Sequence, residues 1–236
     1  MPADIGIVLT GTIIPNTTFV THGNSETRKR EYIAAIKFYS QFAPVYFLEN
    51  SAYDLFSDEE FLKLENCFLR KFPLSKHYHR GKGYQEFEMI AQWLATEAVA
   101  PKRFIKITGR YQITNFKDIF AECLGQKDGA LLIDRQKWTS FAVTRMFYAD
   151  TAYYKANLSD VYKGCNDESG DWVERVLYKR LVERKLDSSF FWHEPMVVGI
   201  TGTSGFHFTP SRSKWFVKSI LRRINYFLNK KCILYR

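Results

Sequence analysis

The chain lacks any apolar run of transmembrane length, and no basic segment precedes an apolar one in its opening Met-Pro-Ala-Asp-Ile-Gly-Ile-Val-Leu. These absences argue against a spanning helix and a secretory leader, so the expected location is the cytoplasm. Cysteine is scarce. Cys67, Cys123, Cys165 and Cys232 are scattered without metal-type spacing, which excludes a zinc module or disulfide scaffold and fits reduced thiols. No internal repeat or low-complexity linker is present. Acidic residues are missing altogether from Ser211 to Arg236, where eight basic residues accumulate. Without that segment, 26 basic residues face 25 acidic ones, so the net charge of +9 belongs to the tail and not to the body. A near-neutral body without a recognisable reader motif argues against a nucleic-acid partner.

What is present is the material of an ordered domain: 236 residues, 46% hydrophobic and 17% aromatic. Ile5–Thr10 reads as a buried strand opening into a Thr10-Gly11-Thr12 loop. Ser25 onward is helical, with Tyr32, Ile33, Ile36 and Tyr39 in register and with Arg28 and Arg30 near its start. Cations are unfavourable at a helix N-terminus, so an anion is one explanation and a solvated basic face the other. Pro44–Ser51 reads as a second buried strand ending in Glu49, Asn50 and Ser51. Ser57-Asp-Glu-Glu60 is a capping-box pattern, predicting a helix through about Phe68. His77 and His79 read as loop residues, since no carboxylates accompany them. Gly81-Lys82-Gly83 precedes a helix predicted from about Gln85 to Ala98, where glycine-flanked Lys82 suits a phosphate.

Arg103-Phe-Ile-Lys-Ile-Thr-Gly-Arg-Tyr-Gln-Ile113 alternates as a half-buried strand does, and Gly109 in its middle permits close approach of a ligand. Lys106 and Arg110 beside it suit a diphosphate, or alternatively guard an exposed sheet edge. The order β-α-β-α-α-β favours an α/β sheet with ligand loops at its strand ends. Farther on, Leu131–Arg135, Ala142–Tyr148 and Ala152–Tyr154 read as strands. The acidic turn Asn166–Asp171 opens a helix, with Asp171 either its N-cap or a general base. Val197–Ile200 is a strand entering the small-residue loop Thr201–His207.

In the tail, Phe216, Val217, Ile220, Leu221, Ile224, Phe227 and Leu228 form one apolar stripe at helical spacing, with Lys214, Lys218, Arg222 and Arg223 outside it. An aromatic-containing apolar face with purely basic flanks favours an interfacial membrane helix over a helix packed on the body.

Taken together, Ile7-Val-Leu-Thr-Gly-Thr12, the arginine-bearing helix, Val45–Ser51, Gly81–Glu86, Lys106–Tyr111 and Glu168–Asp171 resemble a small bacterial glycosyltransferase of surface-polysaccharide synthesis, of the lipopolysaccharide, O-antigen or capsule kind. The resemblance implies a GT-A-like mixed sheet flanked by helices over residues 1–210, followed by an amphipathic membrane-associating tail over 211–236. It implies a nucleoside diphosphate sugar donor, such as UDP-galactose in pyranose or furanose form, and a lipid-linked glycan acceptor at the inner face of the cytoplasmic membrane. Thr10, Gly11, Thr12, Arg28, Glu49, Asn50, Ser51, Lys82 and Gly109 would then bind the donor. Arg110 and Lys106 would stabilise the departing diphosphate, with Asp171 as base. Glu168, Thr203, Ser204 and His207 would meet the acceptor. The departure is the Asp-x-Asp motif by which that fold holds a divalent metal, which this sequence lacks. The expectation is therefore a metal-independent, cofactor-free enzyme in which cations replace the metal. A cytidine monophosphate sugar transferase and a nucleic-acid-binding module are the alternatives.

Overall fold

In a computed structural model, which describes residues 4–15, 23–200, 207–209 and 211–234, the run Ile5–Gly11 forms β1 and is buried at every position. A strand apolar on both faces needs cover on both. Helix α1 (Ser25–Tyr39) supplies one cover, packing Tyr32, Ile33, Ile36 and Tyr39 against Ile5, Ile7 and Leu9. Its cap is Asn24, whose side chain accepts the Thr27 N–H at 2.8 Å, and not Ser25. The chain returns through β2 (Val45–Glu49), parallel to β1.

The segment predicted helical to Phe68 is helical only over α2 (Glu59–Leu62), capped by Asp58. Asn66 adopts φ 53°, and Cys67–Lys71 then forms β3, a parallel edge strand beside β2. Capping chemistry starts a helix, but the short apolar content here is spent pairing with β2. Helix α3 (Lys82–Thr96) covers the opposite face of the sheet with Phe87, Ile90, Trp93 and Leu94. β4 (Arg103–Thr108) then pairs parallel to β1 on the side away from β2.

The 103–113 strand breaks at Gly109, and β5 (Gln112–Ile113) joins a separate sheet. After α4 (Phe116–Leu124) come β6 (Leu131–Leu132) and a hairpin of β7 (Arg135–Gln136) and β8 (Phe141–Ala142). β9 (Met146–Asp150) runs antiparallel to β4 and β6. The main sheet has the order β3-β2-β1-β4-β9-β6, so Arg103–Thr108 is central and the edge-strand alternative for it falls away. The expected mixed α/β sheet flanked by helices is the architecture observed. Ala152–Tyr154, read as a strand, lies in α5 (Thr151–Asn157), because the Asp150 side chain accepts the Tyr153 N–H at 2.9 Å and caps it. Helix α6 (Val173–Glu183) follows the acidic turn. β10 (Val197–Ile200) then pairs with both β5 and β11 (His207–Phe208).

The last helix, α7 (Arg212–Leu228), docks by its polar side. Arg222, expected outside, is 2% exposed and forms two parallel bonds to Asp134, at 2.9 and 2.7 Å. It also donates to Glu194 at 2.5 Å and to the Phe191 carbonyl at 2.9 Å. Trp215 and Asn225 add bonds to Glu194 and to the carbonyls of Asn229 and Cys232. The expected apolar stripe is therefore left facing outwards, with Phe227 and Leu228 79% and 76% exposed. A fork bonded to two carboxylates is geometrically specific. Replacing Arg222 by Leu would leave both acids uncompensated beneath the helix, and the expected loss is about 3–5 kcal/mol of unfolding free energy. Urea denaturation checks this, and a loss below about 1 kcal/mol, the level of an exposed pair, would contradict it.

Candidate active site

β1 and β4 are neighbours at which the strand order reverses: β1 leads through α1 on one face of the sheet towards β2, and β4 is reached through α3 on the other. The crevice beyond the carboxyl ends of such strands is where open α/β sheets bind ligands. A cleft of about 640 Å³ opens there, within the usual range for ligand pockets of about 300–1,000 Å³. Its walls come from the end of β1 (Thr10, Gly11, Thr12), α1 (Arg28, Tyr32), the end of β2 (Asn50), the start of α3 (Lys82, Glu86), the turn after β4 (Thr108, Arg110) and the segment from β8 to β9 (Thr144, Arg145).

The floor is built from a buried ion pair. Lys106 is fully buried and sits 2.7 Å from Glu86, with further bonds to the Thr144 carbonyl at 2.7 Å and the Thr108 hydroxyl at 3.1 Å. Thr10 and Thr108 also donate their hydroxyls to the same Glu86 oxygen. Burial pushes the Lys106 ammonium below its ordinary range, with Glu86 opposing the shift. Lys106 therefore does not reach a ligand. It holds Glu86 in place, which corrects its expected role at the diphosphate. Gly109 is corrected likewise. A Cβ there would lie 2.6 Å from the Thr10 carbonyl, which accepts the Gly109 N–H at 2.9 Å, so the glycine serves the join of β1 to β4 and not a ligand.

Three cations converge on the cleft. Arg28 donates to the Thr12 carbonyl at 2.9 Å and to the Tyr32 hydroxyl at 3.2 Å. Burial, then the nearby Arg110, depress its pKa against the opposing pull of Tyr32 and Glu31. Arg110 pairs with Glu31 at 2.9 Å. Lys82 has its pKa lowered by burial first, then by Arg28 and Arg110, with Asp167 opposing. Arg30, by contrast, lies on the surface beside Glu26.

Several expected site residues play other parts. Glu49 is completely buried and accepts the N–H groups of Ile13 and Ser51 at 3.1 and 2.9 Å and an ammonium proton of Lys71, so it braces the loop after β1. Ser51 accepts the Ile14 N–H at 3.1 Å and belongs to the same brace; of the three polar residues ending β2, Asn50 alone lines the cleft, taking the Thr12 hydroxyl at 2.8 Å. Asp171 is exposed, accepts the Ser169 hydroxyl at 2.6 Å and lies outside the cleft lining, which corrects its place as the base. Nor does it cap α6, whose first flanking residue is Trp172. Glu168 is exposed on the same turn, and His207 is exposed in the β10–β11 ladder, so neither faces the cleft. Thr203 and Ser204 lie outside the described residues.

The carboxylate of the acidic turn that does line the cleft is Asp167. An antiparallel bridge between Asn166 and Asp171 closes the turn and turns Asp167 towards the start of α3, where its carboxylate accepts the Lys82 N–H at 3.2 Å. Gly81 makes room for it: the residue has φ 104°, and a Cβ there would lie 2.0 Å from that carboxyl. Burial raises the Asp167 pKa, opposed by the Lys82 N–H and ammonium. Arg145, with its guanidinium 4.4 Å from the Phe208 ring centroid, and Glu174, which accepts the Thr144 hydroxyl at 2.9 Å, complete the polar lining. Sequence spacing carries no signal for which of three acids in one turn faces inward, nor for Arg145 at the end of an aromatic strand.

Among the described residues no group of three His, Cys, Asp or Glu side chains is placed to hold a metal ion. Of the cleft carboxylates, Glu86 is committed to Lys106 and two threonines, Asp167 to the start of α3, and Glu174 to Thr144.

No protein-family model and no curated protein matches the chain. Among solved structures, one similar to it is described as a nucleotide-diphospho-sugar transferase of Desulfovibrio desulfuricans, at 9% identity and a TM-score of 0.49, covering 79% of this chain and 78% of that one. Another is the glycosyltransferase GlyE of Streptococcus pneumoniae, at 11% identity and 0.48, covering 79% and 45%. Mouse xyloside xylosyltransferase 1 is similar at 11% identity and 0.43, covering 80% and 85%.

The lowered pKa of Lys82 sets the sign of a pH dependence. The ammonium loses its proton at a lower pH than an ordinary lysine does, so affinity for inorganic pyrophosphate is expected to fall as pH rises towards the ordinary lysine value of 10.5 and before it is reached. Pyrophosphate itself gains negative charge over that interval, which would act in the opposite direction, so a falling limb belongs to the protein. Titration calorimetry of the wild type and Lys82→Met checks this, with the limb absent from the variant.

Proposed function

We propose that the protein is a glycosyltransferase that moves a sugar from a nucleoside diphosphate sugar to a glycan acceptor without a divalent cation. The observation that carries this reading is the convergence of Arg28, Lys82 and Arg110 on a crevice at the carboxyl ends of β1 and β4, beside carboxylates that are already engaged. A departing diphosphate gains negative charge as the glycosidic C–O bond breaks, and preorganised cations stabilise that charge in proportion as water is excluded. The start of α3 adds the positive end of a helix dipole. In a single displacement the acceptor hydroxyl attacks the anomeric carbon, the bonding pair leaves with the diphosphate, and a base takes the hydroxyl proton. Asp167 is the carboxylate fitted to that task by its position and its raised pKa. The sequence resemblance favours a hexose such as galactose on a uridine nucleotide, and a bacterial surface-polysaccharide pathway.

A lipid-linked acceptor agrees with α7. No helix among the described residues is long and apolar enough to cross a membrane. The outward stripe of α7 instead suits insertion to headgroup depth, with its basic flanks worth about 1 kcal/mol each near an anionic surface.

In a thermal-shift panel, UDP is expected to stabilise the protein more than CMP does, equally with and without EDTA, and Arg110→Ala and Lys82→Ala should each reduce the shift. Stabilisation abolished by EDTA would refute metal independence. For the helix, Phe227→Asp with Leu228→Asp should end co-flotation with phosphatidylcholine vesicles containing phosphatidylglycerol while leaving the UDP shift intact. This pair is a cleaner test than removing the tail, because truncation would also strip Arg222 from Asp134 and Glu194. Undiminished flotation of the double variant would rule out the membrane role.

A further inference from the structure

A second cavity, of about 330 Å³, adjoins the cleft and shares Gln136, Val143 and Arg145 with it as a common wall. Its far wall is α7, through Lys218 and Arg222. The Asp134 and Glu194 carboxylates on its border are both bonded to Arg222.

Trp138, at the tip of the β7–β8 hairpin, borders this cavity and is 78% exposed. So large an exposed ring is ordinarily mobile, but this one is held. Its indole N–H donates to the Leu234 carbonyl at 2.7 Å. The hairpin beneath is tied to the chain after α7, with the Ile233 N–H donating to the Arg135 carbonyl at 2.7 Å. Beside the ring, the Thr139 hydroxyl donates to the Gln136 amide oxygen at 3.2 Å. A fixed flat apolar surface bordered by an amide, a hydroxyl and a guanidinium suits one class of ligand. A pyranose has an apolar face of C–H groups for the indole and an equatorial belt of hydroxyls for the polar rim. Fixing the ring in advance lowers the ordering cost of binding.

We propose that this second cavity is the acceptor-sugar subsite, with Trp138 as its stacking platform. The inference rests on the transferase reading for its acceptor role: sugar transfer brings an acceptor hydroxyl to bonding distance of the donor carbon, so the acceptor pocket must share a wall with the donor cleft, as this one does. It moves the acceptor away from Glu168 and His207, which face neither cavity. It also sets the acceptor between the donor and the helix whose apolar stripe faces outwards, so a lipid attached to the acceptor has a short path to the surface that would receive it.

The test uses the full chain labelled with ¹⁵N and follows the indole N–H resonances of its five tryptophans. The Trp138 signal is the one missing from Trp138→Phe. The probes are methyl glycosides of glucose, galactose, mannose and N-acetylglucosamine, each titrated with and without UDP. At least one is expected to shift the Trp138 signal saturably. Saturation transfer to the ring protons of that glycoside should persist in Trp138→Phe and drop several-fold in Trp138→Ala, while both variants keep the wild-type UDP thermal shift. If no glycoside moves the Trp138 signal although UDP binds, or if Trp138→Ala binds the glycoside as the wild type does, the subsite is overturned and the donor reading is untouched. If a glycoside saturates Trp138 but UDP does not bind, the transferase reading and with it the acceptor role fall, and a saccharide site remains.

Discussion

The ion pair between Lys106 and Glu86 is the contact on which the cleft depends. It joins β4 to α3 under the crevice, and the same Glu86 oxygen gathers the hydroxyls of Thr10 at the end of β1 and Thr108 at the end of β4. Lys106 in turn takes the carbonyl of Thr144, so the segment bearing Arg145 is drawn into the same knot. A charge buried this completely is tolerated only because its partner and its other donors are satisfied. Removing either partner would leave the other uncompensated at the meeting point of the two central strands, where the ends of β1 and β4, the start of α3 and the segment bearing Arg145 are joined.

The cations above that floor are held close to one another by protein groups. Arg28 leans on the Thr12 carbonyl and Arg110 on Glu31, and burial with mutual repulsion lowers the pKa of both Arg28 and Lys82. The cost of bringing like charges together is met during folding, so an entering anion finds the positive field already assembled. A flexible set of surface lysines would have to be ordered by the ligand itself.

Much of this was legible in the sequence, and the limits have physical causes. The apolar runs at Ile5–Thr10 and Pro44–Ser51 and the helical periodicity after Ser25 and Gln85 declared the β-α-β frame, because both-face burial and one-face burial leave different spacings. Thr10, Gly11, Thr12, Arg28, Asn50, Lys82 and Arg110 were placed at strand and helix ends, and those ends meet in the cleft. What failed was direction. Alternation along β4 says that Lys106 and Arg110 flank Gly109, but only the turn at Gly109 sends Arg110 towards Glu31 while Lys106 stays within the sheet. The acidic turn was recognised as a unit, yet the choice of Asp167 over Asp171 depends on a bridge that closes the turn. The tail periodicity showed an amphipathic helix and not which side would dock, because spacing within the helix does not show that two carboxylates, Asp134 and Glu194, stand on the body opposite Arg222.

The Arg222 contact also orders events in time. Asp134 lies 88 residues before its partner, and at about 5–20 residues per second a nascent chain would wait about 4–18 s between them. Until Arg222 emerges the two acids, the second of them made late in that interval, have no buried reason to come together, and the corner formed by Phe191, Glu194 and the β7–β8 hairpin lacks the residue that closes it. The corner thus closes only once the last helix has been made, later in synthesis than the β1–β4 pairing at the centre of the sheet, although that pairing spans as long a stretch of chain. Loop closure over such a separation is slow relative to local pairing. The wall shared by the two cavities is therefore among the last parts of the molecule to take its final shape.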